Sequence, residues 1–147
     1  MLRWLARRLD LARHNARRAA VIPAHALGRR GEDLAHRYLQ DNGLIVTDRN
    51  WTTIHGFGEI DIVAWEGDTL VFVEVKSRAN DEYGDPGRAV NRMKRTAMAH
   101  AARWYSRLIG VPPWRCRHDL VTVVFNDPPV IHHYRGHLLA PRPDEVS

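Results

Sequence analysis

The sequence is poor in cysteine and in long apolar runs. Its single cysteine in 147 residues, Cys116, cannot form an internal disulfide and cannot make a structural zinc site alone. Apolar runs such as residues 70–73 are far shorter than the roughly 20 residues that span a bilayer. The N-terminal segment lacks the continuous apolar stretch of a secretion signal, because Arg7, Arg8 and Asp10 interrupt it. We therefore expect no transmembrane segment and a reducing, cytoplasmic location.

The sequence also lacks a phosphate-binding P-loop, a dinucleotide-binding fingerprint and an internal repeat. Its apolar fraction of 44% is ordinary for one globular domain. The net charge of +5 is unevenly distributed, because residues 1–30 contain eight arginines and one acid. That segment carries +7, which leaves −2 for the remainder. The basic isoelectric point therefore does not show what the body of the chain binds.

Charge and proline divide the chain into three parts. We predict a basic N-terminal arm over residues 1–27, a folded domain over residues 28–140 and a C-terminal tail over residues 141–147. Pro23 separates the arm from the domain. The spacing of leucines leaves two interpretations of the arm open: a basic amphipathic helix for nucleic acid or an anionic membrane, or a disordered extension.

Hydrophobic periodicity in the domain predicts two helices and five strands. The predicted helices cover residues 28–42 and 88–109. The first predicted strand is 44–51, and the next two form a hairpin within 57–78 with its turn at 66–69. The last two predicted strands are 119–125 and 130–138. The predicted buried face of the second helix contains Val90, Met93, Ala97, Ala101, Tyr105 and Leu108. Trp65 and Trp104 are also assigned to the core. The element order predicts an α/β fold with a mixed five-stranded sheet flanked by helices.

The hairpin brings charged residues together on one face of the sheet. If Trp65 lies opposite Leu70, then Asp61 lies opposite Glu74, and their Cβ atoms are about 5 Å apart. Lys76 follows Glu74 by two residues and shares its face, because side chains alternate along a strand.

Two interpretations of this charged cluster follow from the residues alone. Paired carboxylates repel each other unless a proton or cation intervenes, and oxygen ligands suit Mg²⁺ or Mn²⁺. With Lys76 to activate water or stabilise a phosphate, the cluster suits metal-assisted phosphodiester hydrolysis. The alternative is a partly buried network of ion pairs. Glu59, opposite Lys76 in the same register, is a candidate accessory acid.

Further candidates lie outside the hairpin. Lys94 falls within the apolar face of the second helix, where lysine is unusual. Glu32 lies at the edge of the apolar face of the first helix, where it either looks toward the sheet or interacts with the helix macrodipole. Trp51, beside Asn50, is a candidate for stacking on bases. Three histidines lack a completing acid or cysteine, so we expect no metal site at His132, His133 and His137.

Six short motifs lie between residues 28 and 124. They are Gly28-x-x-Gly31-Glu32, Arg49-Asn50, Gly58-Glu59-Ile60-Asp61, Phe72-Val73-Glu74-Val75-Lys76-Ser77-Arg78, Tyr83-Gly84-x-Pro86 and Lys94. In combination they resemble the YraN family of small bacterial proteins. That family in turn resembles the restriction-endonuclease-like PD-(D/E)xK superfamily and, within it, the archaeal Holliday-junction resolvases.

The resemblance implies a restriction-endonuclease-like fold and a role for each matched residue. Asp61 and Glu74 would be the ligands of Mg²⁺ or Mn²⁺, with the Val75 carbonyl as a third ligand. Lys76 would be the catalytic lysine, and Glu32 would match the acid that resolvases contribute from their first helix. We assign contacts with nucleic acid to Lys94, Arg78, Asn50 and Trp51.

Two functions stay open at the level of sequence. The first is a metal-dependent endonuclease acting on DNA, with branched or structured DNA as the favoured substrate. Because resolvases act as symmetric dimers, a homodimer is the matching expectation. The second is a catalytically silent module that binds nucleic acid through the nuclease-like domain and the basic arm.

Overall fold

The computed structural model describes residues 24–80 and 92–137. The elements in chain order are α1 (Ala24–Asp41), β1 (Ile45–Thr52), β2 (Glu59–Glu66), β3 (Thr69–Arg78), α2 (Arg92–Ile109), a 3₁₀ segment (Pro113–Arg115), β4 (Cys116–Val124) and β5 (Val130–Tyr134). The predicted loop at 81–87, the tail at 141–147 and the arm, apart from residues 24–27, lie outside the described residues.

The five strands form one mixed sheet in the order β1-β2-β3-β4-β5. β3 and β4 are parallel, and the other neighbouring strands are antiparallel. The parallel pair requires a long crossover connection, and α2 lies within it. The predicted α/β fold, a mixed five-stranded sheet flanked by helices, is confirmed.

The two helices cover opposite faces of the sheet, each over its own apolar cluster. Side chains of the central strand β3 alternate between these clusters, since Phe72 packs with residues of α2 and Val73 packs with residues of α1. Both faces of β3 are therefore buried, which explains its nearly continuous apolar sequence. A charged side chain near the end of this strand is surrounded by protein on most sides.

The buried face of α2 differs from the predicted one. Met93, Trp104 and Leu108 are exposed by 83%, 45% and 67%, so their assignment to the core was wrong. The buried stripe instead contains Met98, Ala101, Ala102 and Tyr105. The helix carries two neighbouring apolar stripes, and periodicity alone does not show which one faces the sheet. Val90 lies outside the described residues.

The ends of several elements also differ from the predictions. α1 begins at Ala24, β4 begins at Cys116, and β5 ends at Tyr134. Trp65 packs at the margin of the α2 cluster, as expected. Within residues 24–80 and 92–137, neither helix combines the length and apolarity needed to cross a membrane.

Candidate functional site

The charged cluster lies where β2 and β3 separate. The predicted hairpin register is confirmed, and the paired residues end at Ile62 opposite Val73. Just beyond this pair, the Val75 backbone N–H donates to Asp61 Oδ2 at 2.8 Å. The Asp61 carboxylate is thereby attached to the strand that carries Glu74.

The electrostatic environment of Asp61 disfavours its negative charge. Burial and then the charge of Glu74, with a smaller contribution from Glu32, raise the pKa of Asp61 from 3.8 to about 8. The hydrogen bond from Val75 acts in the opposite direction and lowers this pKa. Asp61 and Glu74 are therefore close enough that their negative charges repel each other unless a proton or a cation lies between them.

Glu74 is buried, with an exposed fraction of 1%. Lys94 Nζ forms a close ion pair with Glu74 Oε1, and Lys76 Nζ lies 4.0 Å from the same oxygen. Glu74 Oε2 accepts no hydrogen bond from the described part of the chain. Since a buried carboxylate requires compensation, the lysines stabilise Glu74 through one oxygen and leave the other without a donor.

The two lysines are affected in opposite directions. Burial, followed by the positive charge of Lys94, lowers the pKa of Lys76. Burial also acts to lower the pKa of Lys94, but its contact with Glu74 outweighs burial and raises that pKa. Lys94 therefore stays protonated and compensates the charge of Glu74, whereas Lys76 loses its proton more readily than an ordinary lysine.

Glu32 approaches the cluster from α1 and is bound to Arg49 on β1. Arg49 Nη2 lies 3.4 Å from Glu32 Oε2, and Arg49 Nη1 lies 2.6 Å from Asp33 Oδ1. Glu32 also contributes to the negative field at Asp61. Sequence reasoning gave Arg49 no role of its own, although an arginine in the middle of a strand was an available signal.

Two glycines allow the neighbouring elements to approach the cluster closely. A Cβ atom at Gly31 in α1 would lie 1.7 Å from Ser77 Oγ, directly after Lys76 in sequence. Gly58 has φ +88°, and a Cβ atom there would lie 2.2 Å from the Ala97 carbonyl oxygen of α2. The contact at Gly58 is with backbone and requires glycine, whereas a side chain at Gly31 would displace the Ser77 hydroxyl and press on the Ser77 Cβ at 3.0 Å.

The candidate accessory acid Glu59 does not join the cluster. It is exposed and pairs with Thr52 on β1. The ion pairs of the described residues do not include one between Glu59 and Lys76. Extending the hairpin register to these positions was wrong, because β2 and β3 have already separated.

The other residues assigned to nucleic acid lie around the cluster. Trp51 is half-buried and packs edge-on against Tyr105, with ring centroids 5.2 Å apart. Asn50 is exposed and has φ 51°, which asparagine tolerates better than most residues. Arg78 ends β3 and follows Lys76 by two residues, so strand alternation places it on the same face.

A second buried network of charges lies on the α1 side of the sheet. Asp119 is fully buried, accepts a 2.8 Å hydrogen bond from Arg117 Nε and a 2.9 Å hydrogen bond from the Gly136 N–H, and lies 2.7 Å from His133 Nε2. Sequence reasoning did not identify Asp119 as a partner of His133; β5 pairs with β4 and brings the two residues together. The spacing Arg117-x-Asp119 on one strand face was the available signal.

The bonding of Asp119 has a clear electrostatic effect. Burial alone would raise its pKa, but hydrogen bonds from His133, Arg117 and Gly136 outweigh burial and lower the pKa to about 2. The charge of Asp119 is thus compensated by its neighbours. This network stabilises the fold, and it contrasts with Glu74, which has one oxygen without a donor.

The donor set of the cluster fits a hard divalent cation. A cation between Asp61 and Glu74 would relieve their repulsion and would coordinate the Glu74 oxygen that accepts no hydrogen bond. Residues 24–80 and 92–137 contain no group of three or more His, Cys, Asp or Glu side chains arranged to hold a metal. Mg²⁺ commonly uses one or two protein carboxylates and keeps several waters, so two acids are sufficient for it.

The fold and the cluster together define a class of protein. A mixed sheet with a helix on each face, carrying Asp61 on one strand and Glu74-x-Lys76 on the next, is a restriction-endonuclease-like α/β architecture. Residues 31–123 match the family described as "Uncharacterised protein family UPF0102". The chain belongs to this family, which is the YraN family that its motifs resemble.

Relatives of the chain are found in several bacteria. It is 47% identical over 109 residues to a UPF0102 protein of Solibacter usitatus, covering 74% of this chain and 83% of the relative. It is 46% identical over 114 residues to a UPF0102 protein of Streptomyces griseus, covering 76% and 94% of the two chains. The solved structure titled "Crystal structure of SSO0001" aligns with a TM-score of 0.38 and 13% identity, over 91% of this chain and 61% of that chain.

Proposed function

We propose that this protein is a divalent-metal-dependent endonuclease that hydrolyses phosphodiester bonds in DNA. The observation that supports this proposal best is the close pair of Asp61 and Glu74 at the point where β2 and β3 separate, with Lys76 and Lys94 beside it. Acids of this kind are the usual protein ligands of Mg²⁺, and phosphate chemistry requires compensation of negative charge.

The acids are the proposed ligands of the ion. Asp61, Glu74 and the Val75 carbonyl would hold Mg²⁺ or Mn²⁺, which supplies Lewis-acid chemistry at the phosphate when it is bound. The Val75 N–H fixes Asp61 Oδ2, and Lys94 fixes Glu74 Oε1. These two contacts limit the rotation of the carboxylates that would bind the ion.

The lysines and Glu32 have separate proposed roles. Lys76 has a lowered pKa and a side chain that is 24% exposed, so it can exchange a proton with water or donate to a phosphate oxygen. Lys94 stays charged and positions Glu74. Glu32 adds an acid from α1, and Arg49 sets its orientation.

Branched or structured DNA is the proposed substrate, because an acid from the first helix accompanies the strand acids as in resolvases. Arg78, Asn50, Trp51 and Lys94 surround the cluster and are the proposed contacts to the nucleic acid. We also propose a homodimer and a cytoplasmic location, the latter in keeping with the single cysteine.

The test is a cleavage assay with Mg²⁺ or Mn²⁺ on junction, flap, duplex and single-stranded DNA. Asp61→Asn and Glu74→Gln should abolish cleavage, and Glu59→Gln, which alters an exposed acid on the same strand, should cleave like the wild type. Calorimetry should show Mn²⁺ binding that Asp61→Asn removes. The proposal fails if no substrate is cut, or if both cluster variants cut like the wild type.

The alternative function is a silent nucleic-acid-binding module. It is favoured by the Lys94–Glu74 ion pair, which compensates Glu74 without a metal. This alternative predicts salt-sensitive binding that weakens when residues 1–27 are deleted and is indifferent to Asp61→Ala. Binding that is unchanged by the deletion would exclude it.

A further inference from the structure

Helix α2 has an apolar stripe that the sheet does not cover. Met93, Trp104 and Leu108 are exposed by 83%, 45% and 67%. With His100, they recur at spacings of seven, four and four residues, so they lie along one side of the helix. Single exposed apolar residues are ordinary, but a continuous stripe marks an interaction surface.

A loop extends this stripe with a further aromatic ring. Phe57 is 59% exposed, and its ring centroid lies 5.6 Å from that of His100. The His100 centroid lies 6.5 Å from that of Trp104. We call Phe57, His100 and Trp104 the aromatic row.

The loop that carries Phe57 is held firmly in place. The Thr53 hydroxyl donates to the Phe57 carbonyl oxygen at 3.2 Å, and the Phe57 N–H donates to the same hydroxyl at 3.1 Å. Gly58 then packs directly on the Ala97 carbonyl of α2. The row is thus a preorganised surface, and a ligand would not have to order it first.

The charge around the aromatic row favours a polyanion. Helix α2 contains Arg92, Lys94, Arg95, Arg103 and Arg107, and no aspartate or glutamate. Arg103 and Arg107 are exposed next to Trp104. A second copy of the chain is disfavoured, because a symmetric contact would bring the same arginines together with no acid on this helix to pair with them.

The aromatic row leads toward the charged cluster. Lys94, which contacts Glu74, lies on the same helix six residues before His100. On the loop side, Asp61 follows Phe57 by four residues. Four residues span at most about 14 Å, so a few nucleotides beyond the row are enough for a bound strand to reach the acids.

We propose that the aromatic row binds unpaired bases of a single-stranded nucleic-acid segment, with Arg103 and Arg107 contacting its phosphates. Rings with exposed π-faces bind bases of any sequence by stacking, and adjacent arginines supply the affinity for the backbone. This inference rests on the proposed function, and it specifies the substrate as one with an unpaired segment next to the scissile bond.

Binding is tested by fluorescence anisotropy with the full chain in EDTA, using a labelled single-stranded oligonucleotide and the matching duplex. Trp104→Ala and Phe57→Ala should each weaken binding of the single strand about tenfold, with little change for the duplex. Trp104→Phe keeps a ring and should retain most of the affinity. Trp114→Ala, which removes an 84% exposed tryptophan from the 3₁₀ segment, is the matched control and should bind like the wild type.

Three results would overturn the inference. The first is single-strand binding that is unchanged in Trp104→Ala and Phe57→Ala. The second is an equal loss of duplex binding in these variants. The third comes from a parallel assay with phosphatidylglycerol vesicles: the variants lose binding to the vesicles but keep binding to the oligonucleotide, which would indicate a membrane surface instead. Circular dichroism of each variant checks that the fold is retained.

Failure of this inference and failure of the proposed function give different results. If Asp61→Asn abolishes cleavage while Trp104→Ala binds and cleaves like the wild type, the nuclease proposal stands and the aromatic row is not the binding surface. If no substrate is cut but single-strand binding depends on Trp104, the surface stands and the nuclease proposal fails.

Discussion

The raised pKa of Asp61 predicts an unusual dependence of stability on pH. In the metal-free protein the folded-state pKa of Asp61, about 8, lies above its ordinary value of 3.8. The folded chain therefore holds this proton more tightly than the unfolded chain does. The free energy of unfolding should then decrease as the pH rises from about 4 to about 8.

The size of the effect follows from the shift in pKa. Each pKa unit corresponds to about 1.4 kcal/mol, so a shift of about four units gives an upper limit on the order of 5 kcal/mol. Because Asp61 is partly accessible to water, we expect roughly half of this limit, which corresponds to a change in Tm of roughly 10 °C. Asp61→Asn removes the titrating group and should remove the dependence.

The assay is urea unfolding in EDTA at several values between about pH 5 and about pH 9. The wild type and Glu59→Gln should lose stability in parallel as the pH rises, while Asp61→Asn loses much less. Added Mn²⁺ should stabilise the wild type most at the alkaline end and should leave Asp61→Asn unchanged. Parallel pH profiles for the wild type and Asp61→Asn would refute the raised pKa of Asp61 in the folded protein.

Three further predictions concern the surroundings of the cluster. Lys94→Met should destabilise the fold by about 2 kcal/mol in thermal unfolding. This loss is smaller than that for breaking a fully buried ion pair, because Lys94 is half-exposed. Adding Glu74→Gln to Lys94→Met should restore part of the lost stability. Asp119→Asn should cost about 2 kcal/mol at neutral pH, and the gap to the wild type should close as the pH falls from about 4 toward 2, since the pKa of Asp119 is lowered in the fold. Gly31→Ala should destabilise α1 by about 1–3 kcal/mol in urea unfolding because of its clash with Ser77. A Cβ atom at Gly28 has nothing within 4 Å, so Gly28→Ala should stabilise the same helix by about 0.5–1 kcal/mol. Similar values for the two variants would contradict the packing described.

The hairpin and its acids could be predicted because short-range rules determine them. A tight turn fixes the register of two antiparallel strands, and alternation then places Glu74 and Lys76 on the same face as Asp61. The rule stops where the strands separate, which is why it failed for Glu59. No local pattern in β2 marks that point.

The orientation of α2 could not be predicted, because it depends on contacts between distant segments. Met93 and Trp104 are as apolar as the residues of the buried stripe, and only the placement of the helix on the sheet distinguishes them. The partners of Asp119 were missed for a similar reason, since His133 comes from a strand that follows in the sequence and pairs beside β4. Lys94 was singled out as an unusual lysine in an apolar face, but its partner Glu74 required the structure.

The parallel pairing of β3 with β4 also has a consequence for folding kinetics. Asp61 and Glu74 come from one hairpin, whereas the β3–β4 ladder joins Leu70 to Cys116 across the segment that contains α2. Local pairing forms faster than pairing across a long connection. We therefore expect the acids to meet before Lys94 arrives to compensate Glu74, so protonation or a divalent cation should stabilise the hairpin before α2 docks.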